Sequence, residues 1–418
     1  MTKKALIIGG GIAGPVTAMA LRRAGLDCEI FEAYDRGSEG VGVFLTLAIN
    51  GIEALRLLDL NDLVRDLGMD SSRMLMFNGR GRRLATVRQP SRTLKRADLY
   101  LALRDEAVRR GVRIHYGKRL TGASHTAGGV RAVFADGGTA EGDLLVGADG
   151  LHSRTRTIID PGAPRARHVG LLNTGGFADG VEVPGEPGTY HFIFGRRAFF
   201  GYLIHPDGQV WWFANPPSRR EPAPEELAAV TSEGWRATLT ELFRDDTGPM
   251  LDIIGATDHI PAGWNTYDFP TVPKWSGERM VILGDAAHAA SPSSGQGASM
   301  AIEDAVVLAM CLRDVPGTRD AFAAFERLRR DRVERIVAHG RRSGSGKAPG
   351  AVGALLRDLA LPAVMRQVDR RNGLAWIHDH RISWEDRVPA APAASRAGRA
   401  AAGRPSPARL RGARADAV

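Results

Sequence analysis

The 418-residue sequence is poor in cysteine and lysine: it has two cysteines, Cys28 and Cys311, and only six of its 56 basic residues are lysine. Two cysteines cannot form a disulfide scaffold, and no paired Cys/His spacing suggests a zinc site. We therefore predict no metal centre and a reducing, cytoplasmic location. The sequence also lacks an uninterrupted apolar run of the ~18–20 residues that would cross a bilayer, so we predict no membrane span.

Arginine supplies most of the basic charge behind the formal net charge of +9, and much of the excess lies at the C-terminus. Residues 389–418 contain six arginines, one aspartate and almost no large apolar residue. Such a segment cannot bury enough surface to fold, and we predict that it is disordered. An arginine-rich tail can bind phosphate backbones without sequence specificity. Because no recognised nucleic-acid-binding motif accompanies it, we expect no specific nucleic-acid partner.

The N-terminus has the pattern of a strand, a glycine-rich turn and a helix. The apolar run at residues 4–8 ends in glycine, which is typical of a buried parallel strand. Lysines 3 and 4 before an apolar stretch also resemble the start of a signal peptide, but glycines and Pro15 interrupt that stretch. We therefore interpret the segment as the beginning of a βαβ unit.

The glycines of this turn form the pattern Gly9-x-Gly11-x-x-Gly14. In a dinucleotide fingerprint the first glycine permits the tight turn and the second lets the backbone approach a pyrophosphate. The third allows helix and strand to pack closely. Glu32 stands at the end of a second predicted strand, where a carboxylate can accept hydrogen bonds from ribose hydroxyls. The pattern predicts a dinucleotide site without identifying the dinucleotide.

Two later segments share the arrangement of a buried strand followed by an aspartate in a glycine-rich loop. The first is residues 144–150, with Asp149, and the second is residues 280–297, with Asp285. Ligands lie at the carboxyl ends of parallel strands in open α/β sheets. We therefore expect both carboxylates to accept hydrogen bonds from sugar or ribityl hydroxyls.

Together with the N-terminal motif, these segments resemble the single-component FAD-dependent aromatic hydroxylases. That family includes para-hydroxybenzoate, salicylate and urate hydroxylases, kynurenine monooxygenase and the tetracycline-inactivating monooxygenases. The resemblance extends from about residue 3 to about residue 345. We predict an α/β fold with a Rossmann-like FAD-binding domain, built on a parallel sheet, in residues 1–165 and 276–345. An antiparallel-sheet substrate domain in 166–275 and a C-terminal helical segment in 346–388 complete the expected fold.

The resemblance also implies a set of FAD-contacting residues. Glu32 would bind the adenosine ribose and Asp285 the ribityl chain, while the loop that ends at residue 297 would lie beside the isoalloxazine ring. The helix that starts there can stabilise an anionic reduced flavin. His288 is interpreted as structural. The full set is Gly9, Gly11, Ile12, Ala13, Gly14, Glu32, Val43, Arg96, Asp149, Asp285, Pro292, Gly295, Gln296 and Gly297.

The sequence departs from the family's common forms in two places. Many members have an acid followed directly by arginine after the second strand, whereas here Glu32 precedes Ala33 and an arginine comes only at Arg36. Arg36 could reach the adenosine end or lie on the surface. The ring-side loop at residues 289–294 is smaller and more polar than in some relatives. This leaves the substrate preference open.

The implied reaction uses NADPH or NADH as a transient reductant of FAD. Dioxygen then adds to the reduced flavin, and the hydroperoxide delivers one oxygen atom to an electron-rich carbon. The protein positions the cofactor and excludes water. We find no second nicotinamide fingerprint, which fits a reductant that docks transiently. The expected partners are a small aromatic or polycyclic substrate, O2 and NAD(P)H, and the expected state is a monomer or homodimer.

The substrate should lie between the flavin and the aromatic-rich predicted sheet of residues 190–214. Tyr202, His205 and Trp211 are the candidate lining residues, and no catalytic residue is assigned. A His or Tyr could deprotonate a phenol, or it could serve only as a hydrogen-bonding group within the sheet. Strand alternation does not allow all three side chains to share one face of one strand.

Other functions on the same scaffold differ in their sequence signatures or products. An epoxidase or a Baeyer–Villiger-type oxygenase would carry the same motifs and attack alkenes or ketones. A halogenase would be expected to show Trp-x-Trp-x-Ile-Pro, which the Trp211-Trp212 pair does not match. A flavoprotein that binds a compound without oxidising it would consume NAD(P)H without forming an oxygenated product.

Overall fold

A computed structural model describes residues 2–35, 42–347, 351–371 and 373–389. The predictions for Arg36 and for the tail from residue 390 lie outside the described residues. Up to residue 165 the elements are β1 (Lys4–Ile8), α1 (Ala13–Arg23), β2 (Asp27–Phe31), β3 (Phe44–Ala48), α2 (Ile49–Arg56), α3 (Asn61–Leu67), β4 (Gly68–Asp70), β5 (Arg73–Asn78), β6 (Arg83–Arg88), β7 (Ser91–Lys95), α4 (Arg96–Arg109), β8 (Arg113–His115), β9 (Leu120–His125), β10 (Val130–Phe134), β11 (Thr139–Gly142), β12 (Leu144–Gly147) and α5 (Arg154–Ile159).

The remaining elements fall into two groups along the chain. Residues 166–275 form β13 (Arg167–Ala178), β14 (Thr189–Phe194), β15 (Phe199–Ile204), β16 (Val210–Asn215), α6 (Pro224–Ala228), α7 (Ser232–Phe243), α8 (Met250–Gly255) and β17 (Trp264–Asp268). The C-terminal part forms β18 (Met280–Ile282), α9 (Asp285–His288), a short 3-10 helix (Pro292–Ser294), α10 (Gly297–Asp314), α11 (Thr318–Ser345), α12 (Ala351–Arg370) and α13 (Ala375–His378).

A five-stranded parallel sheet forms the first layer, with the strand order β18-β12-β1-β2-β8. Its central strands are continuous apolar runs, and α1 and α10 pack against one another beside it. Such runs are buried on both faces, as parallel sheets require. β12 lies between β1 and β18, so the carboxyl ends of these three strands meet at one edge. The predicted α/β fold class is confirmed.

A seven-stranded sheet forms the second layer, in the order β17-β13-β16-β15-β14-β5-β6. The aromatic-rich sheet predicted for residues 190–214 corresponds to β14, β15 and β16, which pair antiparallel as expected. However, β5 and β6 come from the N-terminal part of the chain, and β5 pairs parallel with β14. The segment 166–275 therefore supplies five of the seven strands. Strand periodicity does not reveal which distant strands pair with one another. The addition of β5 and β6 to this sheet was therefore not predicted from the sequence.

Two small sheets and the C-terminal helices complete the described fold. β9, β10 and β11 form an antiparallel hairpin sheet, and β3, β7 and β4 form a second small sheet. α11 packs on α10, and α12 packs on β6. In the part of the chain that the structure describes, no helix combines the length and the apolar character needed to cross a membrane.

Candidate functional site

The glycine turn after β1 is shaped by close packing at two of its three glycines. A Cβ added to Gly9, which has φ +103°, would lie 2.4 Å from the carbonyl oxygen of Ala148. A Cβ added to Gly14 would lie 2.0 Å from the carbonyl oxygen of Gly9. A Cβ on Gly11 would meet no protein atom within 4 Å. Packing within the protein therefore requires glycine at 9 and 14, whereas at 11 the small size suits a ligand that approaches the backbone.

Helix α1 begins at this turn without a side-chain cap. Ile12 is its N-cap residue, Ala13 is its first residue, and no acidic residue lies in the first turn. The first N–H groups of a helix have no partner within the helix, and the helix dipole adds partial positive charge there. The turn and helix start therefore have the chemistry that a pyrophosphate needs.

Glu32 is buried at the end of β2 and holds the glycine turn in place. Its Oε2 accepts a hydrogen bond from the Gly10 N–H at 2.6 Å, and its Oε1 accepts one from the Tyr34 N–H at 3.0 Å. Each carboxylate oxygen has two lone pairs, so capacity remains for a ribose hydroxyl. The structure thus adds a loop-fixing role that the sequence pattern did not predict.

The two strand-end aspartates have different surroundings. Asp149 accepts a hydrogen bond from the Ser153 hydroxyl at 2.5 Å, and from the N–H and hydroxyl of Thr155 at 2.9 and 3.0 Å. It therefore fixes the start of α5. Asp285 is exposed at the start of α9, and none of the described residues donates a hydrogen bond to its carboxylate. Its oxygens are available to a ligand.

Asp285 and Arg96 influence each other across the cleft. Desolvation by the surrounding protein raises the pKa of Asp285, and the charges of His288 and Arg96 oppose that shift. Burial lowers the pKa of the Arg96 guanidinium, and Asp285 opposes that shift in turn. The Arg96 N–H donates to the carbonyl oxygen of Val43 at 3.2 Å. The structure therefore brings Val43, Arg96 and Asp285 together from three distant parts of the chain.

The ring-side loop precedes the long helix α10. Pro292 begins the 3-10 helix, and a Cβ on Gly295, which has φ +60°, would meet no protein atom within 4 Å. Gln296 is fully buried as the N-cap residue of α10, and its Oε1 accepts a hydrogen bond from Asn50 at 3.1 Å. A Cβ added to Gly297 would lie 4.0 Å from the Asp285 Oδ1. The loop therefore borders the same cleft as Asp285.

A buried network of charged side chains packs beneath the turn before Asp285 and the ring-side loop. His288 Nε2 lies 2.5 Å from Asp304 Oδ2, which also accepts the Gly284 N–H at 2.9 Å. Arg329 contacts both Asp304 and Glu303 at 2.7 Å. Burial alone would raise the pKa of Glu303, but Arg329 and Arg332 lower it to about 2. His288 thus lies within the supporting structure, in keeping with its predicted structural role.

Sequence reasoning did not assign these four supporting charges. The acids are adjacent on α10, and the arginines are three residues apart on α11. Their pairing depends on how the two helices pack, which no local pattern in the sequence reveals. The residues are Glu303, Asp304, Arg329 and Arg332.

The seven-stranded sheet turns one aromatic face, here called the front face, toward the small β3-β7-β4 sheet. Trp211 on this face packs against Phe44 and Phe177, with ring centroids 5.7 and 5.4 Å apart. His205 stacks on Trp211 at 5.0 Å. Phe44 directly follows Val43, so the front face adjoins the loop that carries the Val43–Arg96 contact.

Tyr202 lies on the opposite face, here called the back face, so the three candidate lining residues do not share one face, as strand alternation had indicated. It stacks on His191 with ring centroids 4.5 Å apart, and its hydroxyl donates to the carbonyl oxygen of Pro184 at 2.8 Å. Both residues line a separate cavity of about 450 Å³. Tyr202 and Trp211 lie on opposite faces because neighbouring side chains along a strand alternate between the two faces of a sheet.

These features together form a cleft that suits FAD, as expected of the flavoprotein monooxygenase class. The glycine turn and the uncapped α1 suit a pyrophosphate, the Asp285 carboxylate suits a polyol chain, and the loop before α10 borders both. The donor and acceptor chemistry fits FAD along one continuous edge of the parallel sheet.

Comparison with known proteins supports this class. A family model described as FAD binding domain matches residues 2–339. The FAD-dependent urate hydroxylase of Klebsiella pneumoniae is 31% identical over 354 residues, covering 81% of this chain and 89% of that protein. The 3-amino-4-hydroxybenzoate 2-monooxygenase of Streptomyces platensis is 31% identical over 405 residues, covering 89% and 94%. The crystal structure of Klebsiella pneumoniae HpxO with FAD and uric acid matches with a TM-score of 0.78 and 27% identity over 89% of this chain and 95% of that one.

The chain belongs to the FAD-binding-domain family of single-component flavin hydroxylases, as its motifs had indicated. It is a flavin-dependent monooxygenase, and FAD is its cofactor.

Proposed function

We propose that the protein uses NADPH or NADH and O2 to insert one oxygen atom into a small aromatic or polycyclic molecule. The observation that carries this proposal is the meeting of three strand ends, at Gly9, Asp149 and Asp285, beside an aromatic sheet face. When bound, FAD supplies the redox and oxygen chemistry. A cytoplasmic location and a monomeric or homodimeric state stay predictions.

The chain's own residues would bind and orient the cofactor. The turn at Gly11 and the start of α1 would hold the pyrophosphate, and Glu32 would accept a ribose hydroxyl. Asp285 would accept ribityl hydroxyls, with Arg96 beside it. The N-terminus of α10 would stabilise negative charge on the ring system, because the helix dipole is positive there.

The front face would bind and desolvate the substrate. Phe44, Phe177 and Phe213 are half-buried, so their rings keep accessible apolar surface next to the Val43 loop. Flat apolar surface favours a flat aromatic ring and excludes water from the reacting atoms. Trp211 and His205 remain candidate lining residues, whereas Tyr202 is on the back face.

The first experiment measures flavin content, substrate-stimulated NAD(P)H oxidation and oxygen incorporation from 18O2. The test compounds include urate and 3-amino-4-hydroxybenzoate, which the relatives' names identify as their substrates. We expect a yellow protein with bound FAD and a product that contains one labelled oxygen atom. A protein that stays colourless when FAD is supplied would contradict the proposal. NAD(P)H consumption that yields only hydrogen peroxide would indicate binding without oxidation.

Product structure separates hydroxylation from the alternative reactions. An added hydroxyl on an aromatic carbon supports the proposal. An epoxide, or an oxygen inserted next to a carbonyl carbon, would instead show that the same cleft performs epoxidation or Baeyer–Villiger oxidation.

A matched pair of glycine variants tests the cofactor site. Neither Gly11 nor Gly122 has positive φ, and a Cβ on either meets no protein atom within 4 Å. We expect Gly11→Ala to weaken FAD binding about tenfold or more, because its methyl group occupies space the pyrophosphate needs. Gly122→Ala should leave FAD affinity unchanged. Fluorescence titration of the apoprotein with FAD checks this, and equal affinities in both variants would argue against a pyrophosphate at Gly11.

A further inference from the structure

Lys347 is a buried lysine just beyond the end of α11, with a relative exposure of 8%. Its Nζ donates a hydrogen bond to Asn215 Oδ1 at 2.6 Å. The same Nζ lies 4.2 Å from the ring centroid of Phe199 and 5.6 Å from that of Phe213. All three neighbours belong to strands of the seven-stranded sheet, so the ammonium group is set against the front face.

Lys347 has no carboxylate partner within the described part of the chain. Burial lowers its pKa to about 7, with no charged group contributing to the shift. The nearby pair Arg357 and Asp358 is engaged elsewhere: the two contact each other at 2.8 Å, and Asp358 accepts a hydrogen bond from Asn78 at 2.8 Å. An ammonium group has three N–H donors, and the described residues accept from one of them. Capacity for an anion therefore remains.

Two neighbouring rings lie between Lys347 and the loop beside the flavin cleft. Phe213 contacts Lys347 on one side and Phe44 on the other, with ring centroids of the two phenylalanines 6.0 Å apart. Phe44 follows Val43, whose carbonyl oxygen accepts the Arg96 N–H. A substrate ring lying on Phe213 would therefore reach toward the Val43 loop at one end and toward Lys347 at the other.

The two faces of the seven-stranded sheet differ in how much aromatic surface they leave accessible to a ligand. On the back face Phe200, Tyr202 and Trp212 are fully buried against the apolar side chains of α7 and α8. On the front face Phe44 and Phe213 are only half-buried. The lone buried ammonium thus lies beside the face that keeps accessible aromatic surface.

We propose that Lys347 binds an anionic oxygen of the substrate, a carboxylate or an ionised phenol, while the front-face rings pack on its aromatic part. The proposal rests on the proposed function, because it names the substrate class for that site. A charge-assisted hydrogen bond from a buried ammonium is roughly twice as strong as a neutral one, so it selects strongly between an anion and its neutral analogue.

The test uses purified holoenzyme and two matched compound pairs, with the dissociation constant read from the change in flavin absorbance. The pairs are 3-amino-4-hydroxybenzoate with its methyl ester, for a carboxylate, and 4-nitrophenolate with 4-nitroanisole, for a phenolate. We expect at least one anion to bind about tenfold or more tightly than its neutral partner. Lys347→Met should remove that preference and leave the neutral partner's affinity within about twofold. Lys347→Arg should retain the preference.

Lys95→Met is the control, because Lys95 is a half-exposed cation on the same face, with its Nζ 4.9 Å from the Phe177 ring centroid. The proposal is wrong if neither anion is preferred, if Lys347→Met keeps the preference, or if Lys95→Met alone removes it. FAD content and oxygen incorporation are measured on the same samples. Loss of those signals contradicts the proposed function, whereas flavin-loaded enzyme without anion preference contradicts only the role of Lys347. If no flavin binds, the shift in melting temperature with each compound replaces the absorbance reading.

Discussion

Helix α11 is associated with buried charge at two places, and the two places are built differently. In its middle, Arg329 contacts Glu303 and Asp304 at 2.7 Å each, and Arg332 contacts Glu303 at 2.8 Å. Just beyond its C-terminal end, Lys347 has an amide oxygen and two aromatic rings as neighbours. At 1.5 Å per residue, about 24 Å of helix separates Arg329 from the last helical residue.

The difference shows what each charge can contribute. A buried charge costs free energy unless a partner compensates it. The charges around Arg329 are paired, and through Asp304 they hold the Gly284 N–H at the turn before Asp285. They therefore belong to the support of the cofactor cleft. Lys347 lacks such compensation among the described residues, so we expect it to lower the stability of the free protein and to gain its partner from the substrate.

The largest expected effect comes from breaking the paired cluster. Arg329→Met leaves Glu303 and Asp304 buried with one cation fewer, and we expect a loss of about 3–5 kcal/mol in the free energy of unfolding. Arg327→Met is the matched control, because Arg327 is exposed on the same helix, and it should change stability by less than about 0.5 kcal/mol. Urea denaturation followed by circular dichroism measures both. Equal losses in the two variants would show that the cluster is not what stabilises this region.

A smaller effect of opposite sign is expected at the unpaired charge. Lys347→Met replaces a desolvated ammonium by an apolar side chain of similar length, and we expect the free energy of unfolding at pH 7 to rise by about 1–4 kcal/mol. The same urea titration, without substrate, measures the gain. A loss of stability would mean that the Asn215 hydrogen bond and the ring contacts already compensate the charge, and the contrast with Arg329 would disappear.

The smallest expected effects are the pH dependences: one gap between wild type and variant should shrink at high pH and the other at low pH. The pKa of Lys347 is lowered from 10.5 to about 7, so between these values the unfolded chain binds more protons and stability rises with pH. The gap between wild type and Lys347→Met should therefore shrink as the pH rises from 7 toward 10.

Glu303 also makes the stability of the wild type rise with pH, but it does so in the acid range. The pKa of Glu303 is lowered from 4.5 to about 2, so its contribution is complete above pH 4.5 and is lost as the pH falls toward 2. The gap between wild type and Arg329→Met should accordingly shrink in acid. Urea midpoints measured across the pH range check both trends, and parallel profiles for wild type and either variant would contradict the corresponding assignment.

The fold class and the motif positions could be predicted from the sequence because their signals are local. The apolar run of β1, the spacing of Gly9, Gly11 and Gly14, and the strand-end positions of Asp149 and Asp285 depend only on neighbouring residues. The parallel strands then follow from continuous hydrophobicity, and their carboxyl ends must meet on one edge.

The roles of individual side chains within these motifs could not be predicted from neighbouring residues in the sequence. Asp149 and Asp285 look equivalent in the sequence, yet Asp149 is engaged by Ser153 and Thr155, while Asp285 is exposed beside Arg96. Alternation predicted that the three candidate lining residues could not share a face, but only the packed sheet showed that Trp211 belongs to the front face and Tyr202 to the back face.

The sequence by itself determined the class of protein and the edge of the sheet where we propose that its cofactor binds, because short-range patterns of glycine, acid and apolar residues dictate strand, turn and helix. The tertiary structure alone decided that β5 joins β14, that Arg329 lies between two acids, and that Lys347 is buried against Phe199 and Asn215. Those contacts join residues far apart in the chain. No periodicity encodes them, since they depend on how whole helices and sheets pack.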